Sequence, residues 1–228
     1  MAERPIFIPV PGEPELVREI YVRMTWHPGF AAVQKQKNVA GLHAAGAAAG
    51  YAPLLEVSSK STEKLGRHLS AFHLTVRNNG DVMPLESAFQ GSKIFERGGP
   101  FTELYHADAR TAKGDPRLRD SGRIVGFKFG GVHFPTEPRT AFYDWLYINA
   151  IYPHREWLTR LQRYAGFTDI EFNPERSVNC QARSCALFVS LMTNGLLDRA
   201  VESPEAFIAI LNEHAYQPRQ VEPAVSIR

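Results

Sequence analysis

The sequence predicts an α+β fold: a single, mostly helical domain with small antiparallel β elements. Three observations carry this. Residues 17–26 alternate Ile20, Val22, Met24 and Trp26 against Tyr21, Arg23 and Thr25, the two-residue period of a half-buried strand. Residues 30–49 are Ala-rich and end at Gly50, a helix with a glycine stop. The chain of 228 residues is 44% hydrophobic and 22% charged, which is ordinary globular usage. That composition excludes a disordered chain, a collagen-like repeat and a coiled coil. With 26 Lys and Arg against 24 Asp and Glu, the net charge is +2. A charge this small excludes a nucleic-acid coat over the whole surface but leaves room for a local phosphate-binding patch.

The remaining elements follow in order. Residues 1–15 are Pro-rich and expected to lie extended, and His27-Pro28-Gly29 breaks the strand that follows them. Residues 53–58 form a short strand. From Ser61, a plausible N-cap, Leu65, Leu69 and Phe72 recur at helical spacing. Residues 73–77 are extended and Asn78-Asn79-Gly80 is a hairpin turn. Pro84 opens a helix expected to run through Phe95. Residues 97–123 form a long polar loop with short helical pieces. Residues 124–134 form two strands around Gly130-Gly131. Helices are expected at 138–152 and 154–165, a strand at 167–172, and a helix at 178–194 stopped by Gly195. The last helix has Ser203 as N-cap and Pro204 at its first position, and runs to about His214.

Several chemistries lack their motifs. No glycine-rich phosphate loop, GxSxG or HExxH occurs. No two of the eight histidines are spaced for a helical metal site, so neither metal nor cofactor is expected. Cys180 and Cys185 are five apart, and two small packing residues account for them. The N-terminus lacks the long apolar run of a signal peptide, and no stretch is apolar enough to span a membrane. The expectation is a reduced, cytoplasmic protein.

The informative segment is 69–95, LSAFHLTVRNNGDVMPLESAFQGSKIF. On a helix, Leu85, Ala88, Phe89 and Phe95 make a core face. Glu86, Gln90 and Lys93 then fall within about 60° of arc at its edge. Glu86 and Lys93 would stand roughly 10 Å apart along the axis, a spacing suited to two groups flanking one ligand. A border position allows partial desolvation, which tunes a carboxylate for acid–base work. A plain solvated stripe fits the same geometry.

Ser70-Ala71-Phe72, a hairpin, then Glu86, Gln90 and Lys93 resemble the signature of the NADAR (YbiA-like) superfamily. Departures are Ala71 where that signature has Asn and Ser87-Ala88-Phe89 after the Glu. Asn179 in SVNCQARSCALFVSLM is similar to the family's Gly-x-Asn element, and Asp169 in FTDIEF sits where an Asp often precedes it. Trp145 is a candidate for its mid-domain Trp. This likeness covers about residues 66–195, with 1–60 as an N-terminal extension and 196–228 as a C-terminal helix and tail of one domain. RPIFIP, WHPGFA, QKQKN, LLEVSSKS, LESAFQGSKIFE, TAFYDWLYIN and NCQARSCALFVSL together resemble the NADAR antitoxins paired with DarT-type toxins, over nearly the whole chain.

The resemblance implies an enzyme that removes ADP-ribose attached to guanine in DNA by such a toxin. The expected partners are therefore ADP-ribosylated DNA, ADP-ribose and the toxin itself. A small-molecule N-glycosidase of the YbiA type and a non-catalytic, toxin-binding antitoxin are the alternatives. Glycosidic cleavage develops positive charge at the anomeric carbon, which calls for a carboxylate, here Glu86. Lys93 is either a Schiff-base amine of lowered pKa or a fixed cation on the pyrophosphate. Ser70, Phe72 and Gln90 belong to the substrate-binding set. Asp169 and Asn179 bind ribose hydroxyls or orient Glu86, and Trp145 stacks on a base or is core. Lys35 and Lys37 in the QKQKN run, with Arg67, are candidates for DNA phosphates; for the QKQKN run an ordinary solvated helix face is the simpler reading. Lys60, in Ser58-Ser59-Lys60-Ser61, belongs either to an anion site or to a capped helix start.

Overall fold

The first strands pair as the alternation requires. β1 (Ala2–Pro9) and β2 (Val17–Met24) form an antiparallel hairpin with Ile6 opposite Ile20. In the computed structural model, which describes residues 1–214, α1 (Ala32–Ala48) and β3 (Leu54–Glu56) follow. Then come α2 (Lys64–His68), β4 (Thr75–Asn78) and β5 (Asp81–Pro84). Asn79 and Gly80 both take positive φ in the β4–β5 turn, as a tight hairpin needs. α3 (Leu85–Gly91) and β6 (Lys93–Phe95) lead into the long loop, which holds a 3-10 turn (Thr102–His106), α4 (Ala109–Gly114) and α5 (Arg117–Asp120). β7 (Ile124–Phe129) and β8 (Val132–Phe134) complete a small sheet in the order β6-β7-β8. α6 (Ala141–Ile151), α7 (Arg155–Leu158) and β9 (Gly166–Thr168) precede the last three helices, α8 (Gln181–Thr193), α9 (Leu197–Glu202) and α10 (Pro204–Glu213). The Ser203 hydroxyl accepts from the Ala206 N–H and caps α10 as expected. The expected tail from residue 215 lies outside the described residues.

The larger sheet has the order β2-β1-β9-β3 and contributes to a hydrophobic core on each face. Successive side chains of a strand point to opposite faces. Ile6 and Ile8 therefore enter a small core with Val39 and Leu42 of α1. Phe7, between them, enters the main core with Leu55, Phe89, Phe142, Tyr147, Leu187 and Phe188. α6 and α8 sit at the centre of that core, and every residue of α8 from Gln181 to Leu191 is buried. A helix buried all round loses the one-sided stripe of a surface helix. Among the described residues, no helix is long and apolar enough to cross a membrane.

The α+β class holds, with five corrections. Helices take 45% of the described residues and strands 20%, so "mostly helical" is a loose description. The β elements are not all antiparallel, because β3 runs parallel to β9. The helix opened by Pro84 stops at Gly91 instead of Phe95, and Lys93-Ile94-Phe95 pair with β7. The segment 154–165 is broken by 3-10 turns at Tyr152–His154 and Thr159–Arg163. Likewise, helical structure after Ser61 ends at His68. Leu65 and Leu69 are buried, but Phe72 leaves the stripe and stands 52% exposed.

Gly66 lets α2 lie directly on β3. A Cβ there would stand 2.0 Å from the Glu56 carbonyl oxygen, which is backbone and cannot rotate away. Gly66→Ala is therefore expected to cost about 1–3 kcal/mol by forced displacement. That reads as a melting temperature lower by several degrees. An unchanged melting temperature would mean that α2 is free to move off the strand.

Candidate active site

A cleft of about 440 Å³ opens where α3, α6 and the 169–181 segment meet. Its floor and one side come from Glu86, Phe89, Gln90, Lys93 and Tyr143. Ala71 and Phe72 form the lip. Asp169, Glu171, Phe172, Arg176, Asn179 and Gln181 line the far wall.

Glu86, Gln90 and Lys93 form one hydrogen-bonded line. The Gln90 amide donates from Nε2 to Glu86 Oε1 at 2.7 Å and accepts from Lys93 Nζ on its Oε1 at 2.6 Å. The neighbourhood that the sequence places on one helix is thus built by a helix and a strand. Ser92 makes the break. Its hydroxyl donates back to the Ala88 carbonyl and contacts the Tyr105 hydroxyl, and its own carbonyl accepts from the Lys128 N–H. A Cβ on Gly91 would meet the Tyr105 ring at 2.7 Å, so Gly allows that ring against the helix end.

Glu86 is only 6% exposed. Lys113, on α4 at the surface, brings its Nζ within 3.9 Å of Glu86 Oε1. Lys93 Nζ lies 4.7 Å from the centre of the Phe89 ring. Burial pushes the Lys93 ammonium down from 10.5 to about 8, with Lys113 adding to the fall and Glu86 opposing it. Burial also pushes the Tyr143 phenol well up, so it stays a neutral hydroxyl.

The opposite wall is tied by Gln181 at the start of α8. Its Nε2 donates to Asp169 Oδ2 at 3.0 Å, and its Oε1 accepts from the Ala71 N–H at 2.6 Å. The Tyr147 hydroxyl donates to the Leu69 carbonyl at 2.7 Å, so the 69–72 turn is held from both sides and Phe72 projects outward. Asp169 Oδ1 accepts from the Glu171 N–H. Behind it, Glu56 accepts from Ser58, Thr168 and the Ile170 N–H. Burial raises both carboxyls above their usual range, and Asp169 adds to the rise at Glu56. Asn179 Oδ1 is buried and has no hydrogen-bond partner, which leaves it open to a ligand hydroxyl.

Of the residues singled out in the sequence, the cleft brings together Phe72, Glu86, Gln90, Lys93, Asp169 and Asn179. Six do not line it. Arg67 is spent on the chain before α2, its Nη1 donating to the Ser61 and Thr62 carbonyls. Ser70 is fully buried behind the lip. Trp145 packs on Phe134 at 5.1 Å and belongs to the core, not to a base-stacking surface. Lys35 is 14% exposed and holds Glu171 at 3.0 Å, which commits it to the far wall rather than to a free helix face. Arg4 works beside it: Nη1 donates to the Phe172 carbonyl, and its guanidinium lies over Trp26. Lys37 is exposed away from the cleft. Lys60 closes a turn by its N–H on Ser58 Oγ, and the Ser58 hydroxyl is itself spent on Glu56. Tyr143, Lys113 and Gln181 are cleft residues that sequence reasoning missed. Lys113 comes from an aperiodic loop, and Gln181 and Tyr143 lie in segments that read as plain helix. Both cysteines are buried and free. Among the described residues, no group of three or more His, Cys, Asp or Glu is placed to hold a metal ion.

The sequence model of a family described as "DarT1-associated NADAR antitoxin" matches residues 2–221. No curated protein matches the chain.

Labelling of Lys93 by an amine-selective reagent, followed against pH by mass spectrometry, should give a midpoint near 8. Glu86→Gln removes the anion that favours the ammonium, so the midpoint should move lower still. A midpoint near 10.5 in the unaltered protein would contradict the desolvated site.

Proposed function

The chain belongs to the DarT1-associated NADAR antitoxin family, and from that premise we propose that it cleaves ADP-ribose from guanine in DNA by a Schiff-base mechanism on Lys93. The single observation that carries this reading is the half-buried, desolvated Lys93 amine, hydrogen-bonded through Gln90 to the buried Glu86. A lysine of pKa about 8 is roughly a tenth neutral at pH 7, against fewer than one in a thousand for an ordinary one. A group that only held pyrophosphate would gain nothing from losing its charge. Lys113 and Arg176, exposed at the rim, fit that duller task better.

The bond from the anomeric carbon to the ring oxygen breaks, the oxygen takes a proton, and a protonated imine forms between that carbon and the guanine exocyclic nitrogen, which keeps its hydrogen. Neutral Lys93 Nζ adds to the carbon. One proton passes from Nζ to the guanine nitrogen, the carbon–guanine bond breaks, and its electron pair leaves with guanine as the neutral amine. The sugar is then a protonated imine on Lys93. Water adds to the carbon, the Nζ–carbon bond breaks to leave the neutral amine, the proton taken up at the start is released, and the ring closes to free ADP-ribose. The net change is one water consumed. Glu86 is the group beside Lys93 able to carry these protons. Asp169 and Asn179 face the ribose hydroxyls, and Phe72 at the lip offers a ring to a base.

The test is release of ADP-ribose from single-stranded DNA carrying ADP-ribosylguanine. Glu86→Gln, nearly isosteric but unable to move a proton, should abolish release with the fold intact. Lys93→Arg keeps a cation and loses the nucleophile, so it should fall by several orders of magnitude. An exposed ion contact is worth only about 0.2–1 kcal/mol, roughly fivefold at most. Near-normal release by Lys93→Arg would return the residue to phosphate binding. Neutralisation of the toxin by Glu86→Gln, with no release, would favour an antitoxin that works by binding alone.

A further inference from the structure

A second groove, of about 320 Å³, lies on the other side of the 69–73 turn. Ala71 and Phe72 of this turn face the active cleft, while Leu69 and His73 face the groove. Consecutive Cα atoms are about 3.8 Å apart, so a single backbone segment divides the two spaces. The groove has an apolar floor of Leu69, Leu74, Ile151 and Leu158. Its rim carries His68, His73 and His154, all exposed, and Trp157, which is 47% exposed. The Arg160 guanidinium lies over the Trp157 ring, 3.9 Å from its centre, which fixes a cation on one face of the indole. None of the lining residues is acidic.

An exposed indole beside a fixed guanidinium and imidazole donors suits one ligand chemistry: a flat heteroaromatic base attached to a phosphate. Aromatic faces bind the bases of single strands with little regard to sequence, and cations follow the backbone. A protein side chain would be served by the floor but would leave the cationic rim without a purpose. We propose that this groove receives the nucleotide next to the modified guanine, with its base on the Trp157 face opposite Arg160 and its phosphate at the rim. The proposal rests on the DNA reading above and adds to it a second subsite across the Phe72 lip. It also places strand contact on the α7 side of the turn rather than on α1, where Lys35 is already engaged.

The test compares three substrates or ligands: an ADP-ribosylated single-stranded oligonucleotide, ADP-ribosylguanosine alone, and an unmodified single-stranded oligonucleotide. Trp157 is at the surface, so Trp157→Ala should fold normally. It should raise KM for the oligonucleotide on the order of tenfold. It should leave kcat and the nucleoside reaction unchanged, and weaken binding of the unmodified strand by a similar factor. Trp157→Phe, which keeps an aromatic face, should recover most of the loss. Equal KM for oligonucleotide and nucleoside in the unaltered protein would overturn the proposal, and so would equal losses on both substrates in Trp157→Ala. Weakened toxin association in that variant with oligonucleotide kinetics intact would mark the groove as a protein interface and overturn it too. Release from neither substrate by the unaltered protein would count against the hydrolase reading. Binding of the unmodified strand would still decide the groove, and no such binding would overturn it.

Discussion

A desolvated, half-buried amine joined to a buried carboxylate through one amide is the constraint on which the site depends. Taking an ammonium out of water costs several kcal/mol unless partners compensate it. Lys93 meets that cost in part by the hydrogen bond to Gln90 and by the face of Phe89, and in part by giving up its proton more readily. Gln90 is the residue type the arrangement needs. Its amide donates at one end and accepts at the other, so it can stand between an acceptor-only carboxylate and a donor. Removing either neighbour leaves a buried polar atom unpaired, which is worse than having neither.

The surrounding structure reads as support for that line. The short helix ends at Gly91 because Ser92 hydrogen-bonds backwards and because the next three residues pair with a neighbouring strand. The floor is stiffened by an aromatic stack, with Phe127 4.7 Å from Phe142 and Phe89 packed against both. On the far wall, Gln181 ties the lip to Asp169 with one side chain. The N-terminal strands contribute from outside the cleft. Arg4 and Lys35 pin residues 171 and 172, and β1 pairs with β9 just ahead of Asp169. Residues far from the chemistry thus set the position of the wall that faces it.

The legible parts of the fold were those specified locally. Alternation in 17–26, the Asn79-Gly80 turn and the Ser203-Pro204 cap each depend on a few adjacent residues, and each stands where the sequence puts it. Lys93-Ile94-Phe95 was misread because its apolar residues continue a helical pattern while a partner strand 30 residues later decides its state. That is tertiary pairing overriding local periodicity. The candidate site was legible where its residues lie close in sequence, as Glu86, Gln90 and Lys93 do. Gln181 and Tyr143 were hidden because their roles come from what the core brings beside them. Trp145 and Lys35 show the converse: a chemically attractive side chain is spent on packing or on an ion pair that only the folded chain reveals.

The central claim is a covalent bond between Lys93 and the sugar. Borohydride reduction during turnover of ADP-ribosylated single-stranded DNA, followed by peptide mass spectrometry, tests it most directly. A stable ADP-ribosyl adduct is expected on the peptide carrying Lys93, with none in Lys93→Arg. Turnover at the normal rate with no adduct on Lys93 under reducing conditions would contradict it.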